Sequence, residues 1–116
     1  MVSGSKHVAQ SASTVDSNGT TSSETFSLAS GSKGLILLLS VSDRVDGSFQ
    51  AELFHSPDGE NFASLGSTAA LSANGIASFI VPDSATFHNF KIELTASSTT
   101  SGATVETALF HAPNRL

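Results

Sequence analysis

The chain has 116 residues, of which 39% are hydrophobic, and this length suits one folded domain. Ten Asp and Glu against five Lys and Arg give a net charge of -5, which disfavours nucleic acid as a partner because phosphates attract cations. Cysteine is absent, so disulfides and thiol catalysis are excluded. The longest apolar run is far shorter than the ~20 residues of a membrane-spanning helix, so we expect no membrane partner.

Residues 1–23 are rich in Ser and Thr and contain neither Phe nor Leu. A segment of this kind buries too little apolar surface to offset the entropy of ordering it. The sequence therefore predicts an N-terminal arm that is flexible alone or ordered by a partner. Its isolated apolar residues, Val2, Val8 and Val15, are candidates for partner binding.

Residues 24–112 alternate short apolar runs with turn residues, which predicts an all-β fold. We expect a single antiparallel β-sandwich, Ig-like or jelly-roll-like, with seven or eight strands. The first strand is predicted at residues 25–29. The second, residues 35–41, reads LILLLSV and is apolar on both faces, which is typical of a central strand. Ile36 and Leu38 form its second face, which needs cover either within the monomer or from a partner, so they are also candidates for partner binding.

The next strands are predicted from turn residues. Phe49, Ala51 and Leu53 alternate with polar residues in the third strand, and Ser-Pro-Asp-Gly at 56–59 predicts a type I turn closing a hairpin to residues 61–65. Asn74-Gly75 predicts a second tight hairpin turn, before a strand at residues 76–81.

The last two strands are predicted at residues 87–95 and 103–111. In the first, Phe90, Ile92 and Leu94 share the inward face. Residues 103–111 also fit helical spacing, but their β-branched residues and the absence of a capping box favour a strand. Residues 113–116 form a short tail.

Motifs for chemistry are weak in this sequence. Four histidines lack the close pairing of a zinc motif, and no serine lies in a nucleophile elbow or phosphate loop. The histidines are His7, His55, His88 and His111. Glu52 and Glu93 alternate with core residues on strand faces expected to be solvated. The sequence thus predicts no enzyme, no cofactor and no metal.

Four acidic residues lie in two predicted turns: Asp43, Asp46, Asp58 and Glu60. Asp is favoured in turns because its side chain accepts hydrogen bonds from nearby backbone amides. Carboxylates converging from loops also bind calcium, although an EF-hand pattern is missing. Turn stabilisation is the favoured interpretation, and calcium binding stays open.

The segment FQAELFHSPDGENFASL, residues 49–65, resembles a hairpin of small β-sandwich virion proteins of tailed bacteriophages. In those proteins a strand ends in His-Ser-Pro-Asp-Gly, here residues 55–59, and an Asn-aromatic pair, here Asn61 and Phe62, opens the return strand. The aromatic is often Trp in similar hairpins, and this chain has Phe. The resemblance extends loosely to residues 35–41 and 90–94.

This resemblance implies a capsid decoration or cement protein that binds the phage shell by surface burial and by its N-terminal arm. It implies a major capsid protein or another virion protein as partner, and a place in the virion after assembly in the host cytoplasm. Homo-oligomerisation is expected from the residues themselves, because few Lys protect the strand edges from pairing and the second face of residues 35–39 needs cover. Two alternatives remain, a tail or baseplate module with an adhesion role and a carbohydrate-binding module. The second lacks Trp and Tyr for stacking on sugars, although Phe54, Phe62 and Phe87 could be exposed.

Overall fold

The computed structural model describes residues 5–27, 33–81 and 89–112, and these contain nine β-strands. No helix capable of crossing a membrane occurs in these ranges. The strands are β1 (Ser5–Val15), β2 (Gly19–Ser22), β3 (Phe26–Ser27), β4 (Lys33–Ser42), β5 (Ser48–Ser56), β6 (Ala63–Ser67), β7 (Gly75–Ile80), β8 (Asn89–Ser97) and β9 (Ala103–Ala112).

The strands form two antiparallel sheets. Sheet A has the order β1-β9-β4-β7, and sheet B has the order β2-β8-β5-β6, with β3 also pairing with β8. The prediction of an all-β antiparallel sandwich is confirmed. The structure adds β1 and β2, which the sequence did not predict as strands.

The hydrophobic core lies between the sheets and is built from alternate residues of the central strands. This alternation arises because successive side chains of a strand point to opposite faces. The core residues of these strands are at most 5% exposed: Leu35, Leu37, Leu39, Val41, Phe49, Ala51, Leu53, Phe90, Ile92, Leu94, Val105 and Leu109. The inward faces predicted for residues 35–41, 49–53 and 90–94 are confirmed.

The predictions of a central strand at residues 35–41 and of a strand at residues 103–111 are also confirmed. The LILLLSV segment forms β4, which pairs with β9 on one side and β7 on the other. Residues 103–111 form a strand, β9, rather than a helix, because the segment pairs along its length with both β1 and β4.

The N-terminal segment differs from its predicted placement. Residues 5–15 pair with β9 at one edge of sheet A, and residues 19–22 pair with β8 at one edge of sheet B. The sandwich therefore begins before residue 24. Backbone hydrogen bonding to an existing edge needs few apolar side chains, so a Ser- and Thr-rich segment pairs there. Residues 1–4 and 113–116 lie outside the described residues.

The Asn74-Gly75 hairpin prediction is wrong. Residues before this turn pair within sheet B, whereas β7 pairs with β4 in sheet A. The turn therefore joins the two sheets. Leu71 forms an isolated bridge with Phe49, and the Oδ1 atom of Asn74 accepts a hydrogen bond from the backbone N–H of Arg44 at 2.9 Å. Asn-Gly favours a turn locally, but it does not determine which strand pairs afterwards.

Gly102 precedes β9 and lies between the β4–β5 loop and the end of β1. Its φ of 80° is in the left-handed region, and its backbone N–H donates to Asp46 Oδ1 at 2.7 Å. Its carbonyl accepts from the N–H of Val45 at 2.8 Å. A Cβ at this position would overlap the backbone carbonyl of Val15. Only glycine fits this close approach.

We predict that Gly102→Ala lowers the free energy of unfolding by more than about 3 kcal/mol, because a Cβ adds a backbone clash to an unfavourable φ. Gly19→Ala is the matched control. Gly19 also has a positive φ, 139°, but a Cβ there meets no atom within 4 Å, so we expect a loss of about 1 kcal/mol. Urea unfolding of both variants measures the difference. Equal losses would contradict the close approach.

Candidate interaction surface

Polar side chains predominate on the outer face of sheet B, which also carries the rings of Phe54 and Phe62. Along β5 and β8 it presents Gln50, Glu52, Lys91, Glu93 and Thr95. The Nζ atom of Lys91 lies 3.5 Å from the carboxylate of Glu93, and the hydroxyl of Ser64 donates to Glu52 at 2.6 Å. These groups pair with one another, and a polar sheet face of this kind suits solvent. The prediction that Glu52 and Glu93 lie on a polar strand face agrees with this arrangement, although both are half-buried.

The outer face of sheet A is apolar at one end and polar at the other, where Ser40 of β4 lies beside Glu106 of β9. The register places Ile36 of β4 between Ile80 of β7 and Phe110 of β9. Two residues further along β4, Leu38 lies between Ser78 and Ala108. Side chains opposite one another in antiparallel strands are ~5 Å apart, so these residues form a continuous surface.

Several side chains of this surface are open to solvent. Ile76 is 67% exposed and Ile80 is 73% exposed, whereas Ile36, Leu38 and Phe110 are half-buried. Single exposed apolar residues are ordinary, but a contiguous apolar sheet face indicates an interaction site. We call this set, residues 36, 38, 76, 80 and 110, the sheet A patch.

The structure brings together two of the five residues predicted to bind a partner, Ile36 and Leu38. Val15 packs against the core of its own domain. Val8 lies in β1, where its backbone pairs with that of Ala108, and Val2 lies outside the described residues. Ile76, Ile80 and Phe110 complete this surface, and the sequence alone does not assign them a role. The pattern that could have identified them is the alternation of inward and outward residues in β7 and β9, the two strands that neighbour β4.

Asp46 holds two loops together. Its carboxylate accepts hydrogen bonds from the hydroxyl of Thr100 at 2.5 Å and from the backbone N–H groups of Thr100, Ser101 and Gly102 at 2.7 to 3.3 Å. These bonds, with the Thr100 hydroxyl contributing most, hold the pKa of Asp46 well below its usual range. Asp46 therefore stabilises the loops as a carboxylate.

Asp58 organises the β5–β6 hairpin in a similar way. Its Oδ1 atom accepts from the backbone N–H groups of Glu60 and Asn61, both at 2.8 Å, and from the hydroxyl of Ser56 at 2.9 Å. These hydrogen bonds hold the pKa of Asp58 far below its ordinary value, and the bond from the backbone N–H of Asn61 contributes most. The predicted hairpin is confirmed by the pairing of β5 with β6.

Calcium binding by the acidic turns has no structural support. Within residues 5–27, 33–81 and 89–112, no three acidic, His or Cys side chains come close enough to hold a metal ion. Asp46 and Asp58 instead direct their oxygens to hydrogen-bond donors of their own loops. Turn stabilisation, the favoured interpretation, accounts for both carboxylates.

Both carboxylates make stability depend on acidic pH. A folded-state pKa below the unfolded value of 3.8 contributes stability above that pH, which is lost as the pH falls toward the folded pKa. We expect the free energy of unfolding to fall from about pH 4 downward. Asp46→Asn should flatten this fall, and Asp46→Asn/Asp58→Asn should flatten it further. Urea unfolding between pH 2 and 6 measures it; an unchanged slope in both variants would refute the assignment.

His55 is buried at the end of β5, where its backbone pairs with Phe90. Burial lowers the pKa of this imidazole, so the neutral form predominates at pH 7. A buried neutral histidine is a packing residue here. The predicted meeting of His55 with His88 concerns a residue outside the described ranges.

Two phenylalanines flank a lysine on the outer face of sheet B. The Nζ atom of Lys91 lies 5.2 Å from the ring centroid of Phe54 and 4.8 Å from that of Phe62. Both rings are half-buried. A cation this close to a ring is attracted by its π electrons, so the lysine and the rings hold one another in place.

A cavity of about 570 Å³ opens between β1 and β2 at the edge of the sandwich. Its walls are mainly Ser and Thr side chains of residues 11–21, and its floor is formed by Leu94, Ala96 and Val105. Among these lining residues, Asp16 is the single ionisable one. Acid–base catalysis and metal binding both need several converging groups, which this lining does not provide.

No family model and no curated protein sequence matches the chain. Solved structures do match its fold. The chain is similar to the VP2 subviral particle of infectious bursal disease virus, with a TM-score of 0.65 and 15% identity, covering 96% of this chain and 33% of that chain. The Gx strain of the same virus gives a TM-score of 0.59 and 14% identity, covering 96% and 32%.

A family 29 carbohydrate-binding module from Piromyces equi has a TM-score of 0.45 and 14% identity, with 97% of this chain and 93% of that chain covered. The chain spans about a third of the length of the VP2 chains. At these identities the similarity to VP2 is one of fold, a β-sandwich of the kind found in a viral particle. The assignment to tailed phages has no counterpart among these structures.

Proposed function

We propose that the protein is a structural component of a virion, a decoration or cement protein that binds the particle shell by surface burial and without catalysis. The observation that carries this proposal is the sheet A patch. It is a cluster of five aliphatic and aromatic side chains on the outer face of sheet A, whereas charged and polar side chains predominate on the outer face of sheet B.

The contrast between the two outer faces supports a binding role. The outer face of sheet B has two half-buried rings, Phe54 and Phe62, among charged and polar side chains, whereas Ile76 and Ile80 on sheet A are 67% and 73% exposed. Burying apolar surface contributes ~25 cal/mol per Å², so covering the sheet A patch is favourable. A shell protein with a complementary apolar surface would provide that cover.

The fold and the hairpin resemblance support a viral context. The fold is similar to that of VP2, whose structures are of a subviral particle and of a virus. The His-Ser-Pro-Asp-Gly hairpin independently resembles phage virion proteins. A tail or baseplate module with an adhesion role shares this hairpin, and location on the particle separates the two.

We predict that Ile36→Ser/Leu38→Ser weakens attachment to particles by about tenfold or more, because each buried aliphatic side chain contributes ~1.5 kcal/mol or more. The measurement uses particles of the encoding virus or phage prepared without this protein. The protein is added back, and the bound fraction is determined by sedimentation.

The matched control is Lys91→Ser/Glu93→Ser, which changes two residues at the same spacing on the outer face of sheet B. This variant should attach like the unchanged protein. Thermal unfolding confirms that both variants are folded. Equal attachment of the two variants, or no attachment of the unchanged protein, would contradict a decoration role based on sheet A.

Glycan binding is a second candidate function, favoured by the half-buried rings of Phe54 and Phe62 beside charged side chains. Aromatic rings bind the apolar faces of sugars. In that case the protein gives a saturable glycan-array signal that Phe62→Ala abolishes and Ile76→Ala, on the other sheet, leaves intact. A blank array for the unchanged protein would eliminate this candidate.

A further inference from the structure

Strand β7 is an edge strand with none of the usual protections. Among the described strands, none pairs with its outer edge. Its six residues, GIASFI, carry no charge, and its pairing with β4 runs from Gly75 to Ile80 without a register shift. Natural proteins usually protect edges with charges, bulges or short strands, because a free edge pairs with another chain.

The other three edges of the sandwich are protected in these ways. β1 has register shifts around Ala9 and around residues 11–12, β6 has a bulge at Leu65, and β2 has four residues. Only β7, among the edge strands the structure describes, is regular, uncharged and six residues long. It is the edge best suited to backbone pairing.

The hydrogen bonding between β7 and β4 shows which backbone groups of β7 point away from β4. The N–H of Val81 donates to the carbonyl of Leu35 at 2.9 Å, so odd-numbered residues of this segment bond to β4. The N–H and C=O groups of the even-numbered residues therefore point to the free edge. These residues are Ile76, Ser78 and Ile80, whose side chains lie on the outer face of sheet A.

We propose that β7 pairs antiparallel with β7 of a second copy of the chain about a two-fold axis at Ser78. Ser78 then lies opposite its own equivalent, and Ile76 of each copy lies opposite Ile80 of the other. All three outward-pointing residues are paired, with about six backbone hydrogen bonds. The two exposed isoleucines cover each other, and sheet A becomes one eight-stranded sheet across both copies.

Strand β7 is held in place by a contact with β6. The ring of Phe79 packs on Gly66, so that a Cβ at Gly66 would overlap the ring, and β7 is thereby held against β6. With six residues at ~3.3 Å each, the β7 edge is about 20 Å long, so the contact is small. Such a contact buries less than the ~800 Å² per partner of a stable interface, so we expect weak association.

The test is sedimentation equilibrium of the full chain alone, at concentrations up to about 200 µM. We expect a monomer–dimer equilibrium. Ser78→Lys should weaken it by about tenfold or more, because the substitution places two lysines opposite each other at the axis. Ser13→Lys, at an exposed position of β1 on the opposite edge of sheet A, should leave it unchanged.

Cross-linking tests the register. The chain has no cysteine, so Ser78→Cys introduces a single thiol. Residues that form a hydrogen-bonded antiparallel pair have Cα atoms ~5.5 Å apart, within the range of a disulfide. Mild oxidation should therefore give a covalent dimer with Ser78→Cys, and none above background with Ser13→Cys on the opposite edge of sheet A.

The proposal is overturned if the protein stays monomeric over this range, if Ser78→Lys dimerises like the unchanged protein, or if Ser78→Cys fails to cross-link. These experiments use no particle and are independent of the proposed function. A dimer that does not attach to particles would refute the decoration role alone, and an attaching monomer would refute the β7 pairing alone.

Discussion

Strand β4 is apolar on both faces, and the need to cover both of them determines how the rest of the molecule is arranged. Its odd-numbered residues, 35 to 41, fill the core between the sheets, while Ile36 and Leu38 make the other face apolar as well. Such a strand is stable only when both faces have cover. Sheet B covers the first. The second is only half covered by neighbours in its own sheet, so the sandwich is left with an apolar outer surface.

Period-two alternation accounts for the part of the fold that the sequence predicts. Strands β4, β5, β8 and β9 carry dense apolar side chains, and their faces follow directly from that pattern. The β5–β6 hairpin follows from Ser56, Pro57 and Asp58, whose turn chemistry is local. These features depend on interactions between residues close in the chain or on simple burial.

The rest depends on pairing between distant segments. β1 and β2 are Ser- and Thr-rich strands whose stability comes from the edges of β9 and β8, which no local pattern reveals. The destination of β7 is likewise set by pairing with β4 rather than by Asn74-Gly75. For the same reason the sequence identified Ile36 and Leu38 but missed Ile76 and Ile80, since only the register places the four side chains on one surface.

The area of sheet A indicates how the two proposed contacts, attachment to a shell and pairing through β7, could support each other. With strands ~4.8 Å apart and ~3.3 Å per residue, four strands of about eight residues cover about 500 Å². A stable interface buries ~800 Å² per partner, so one copy offers less than attachment ordinarily needs. Pairing through β7 would place two such faces side by side on one continuous sheet of about 1,000 Å². The pairing uses backbone groups at the edge and covers Ile76 and Ile80, whereas Ile36, Leu38 and Phe110 remain accessible for attachment. Weak self-association would then become effective on a shell, where bound copies are held at high local concentration.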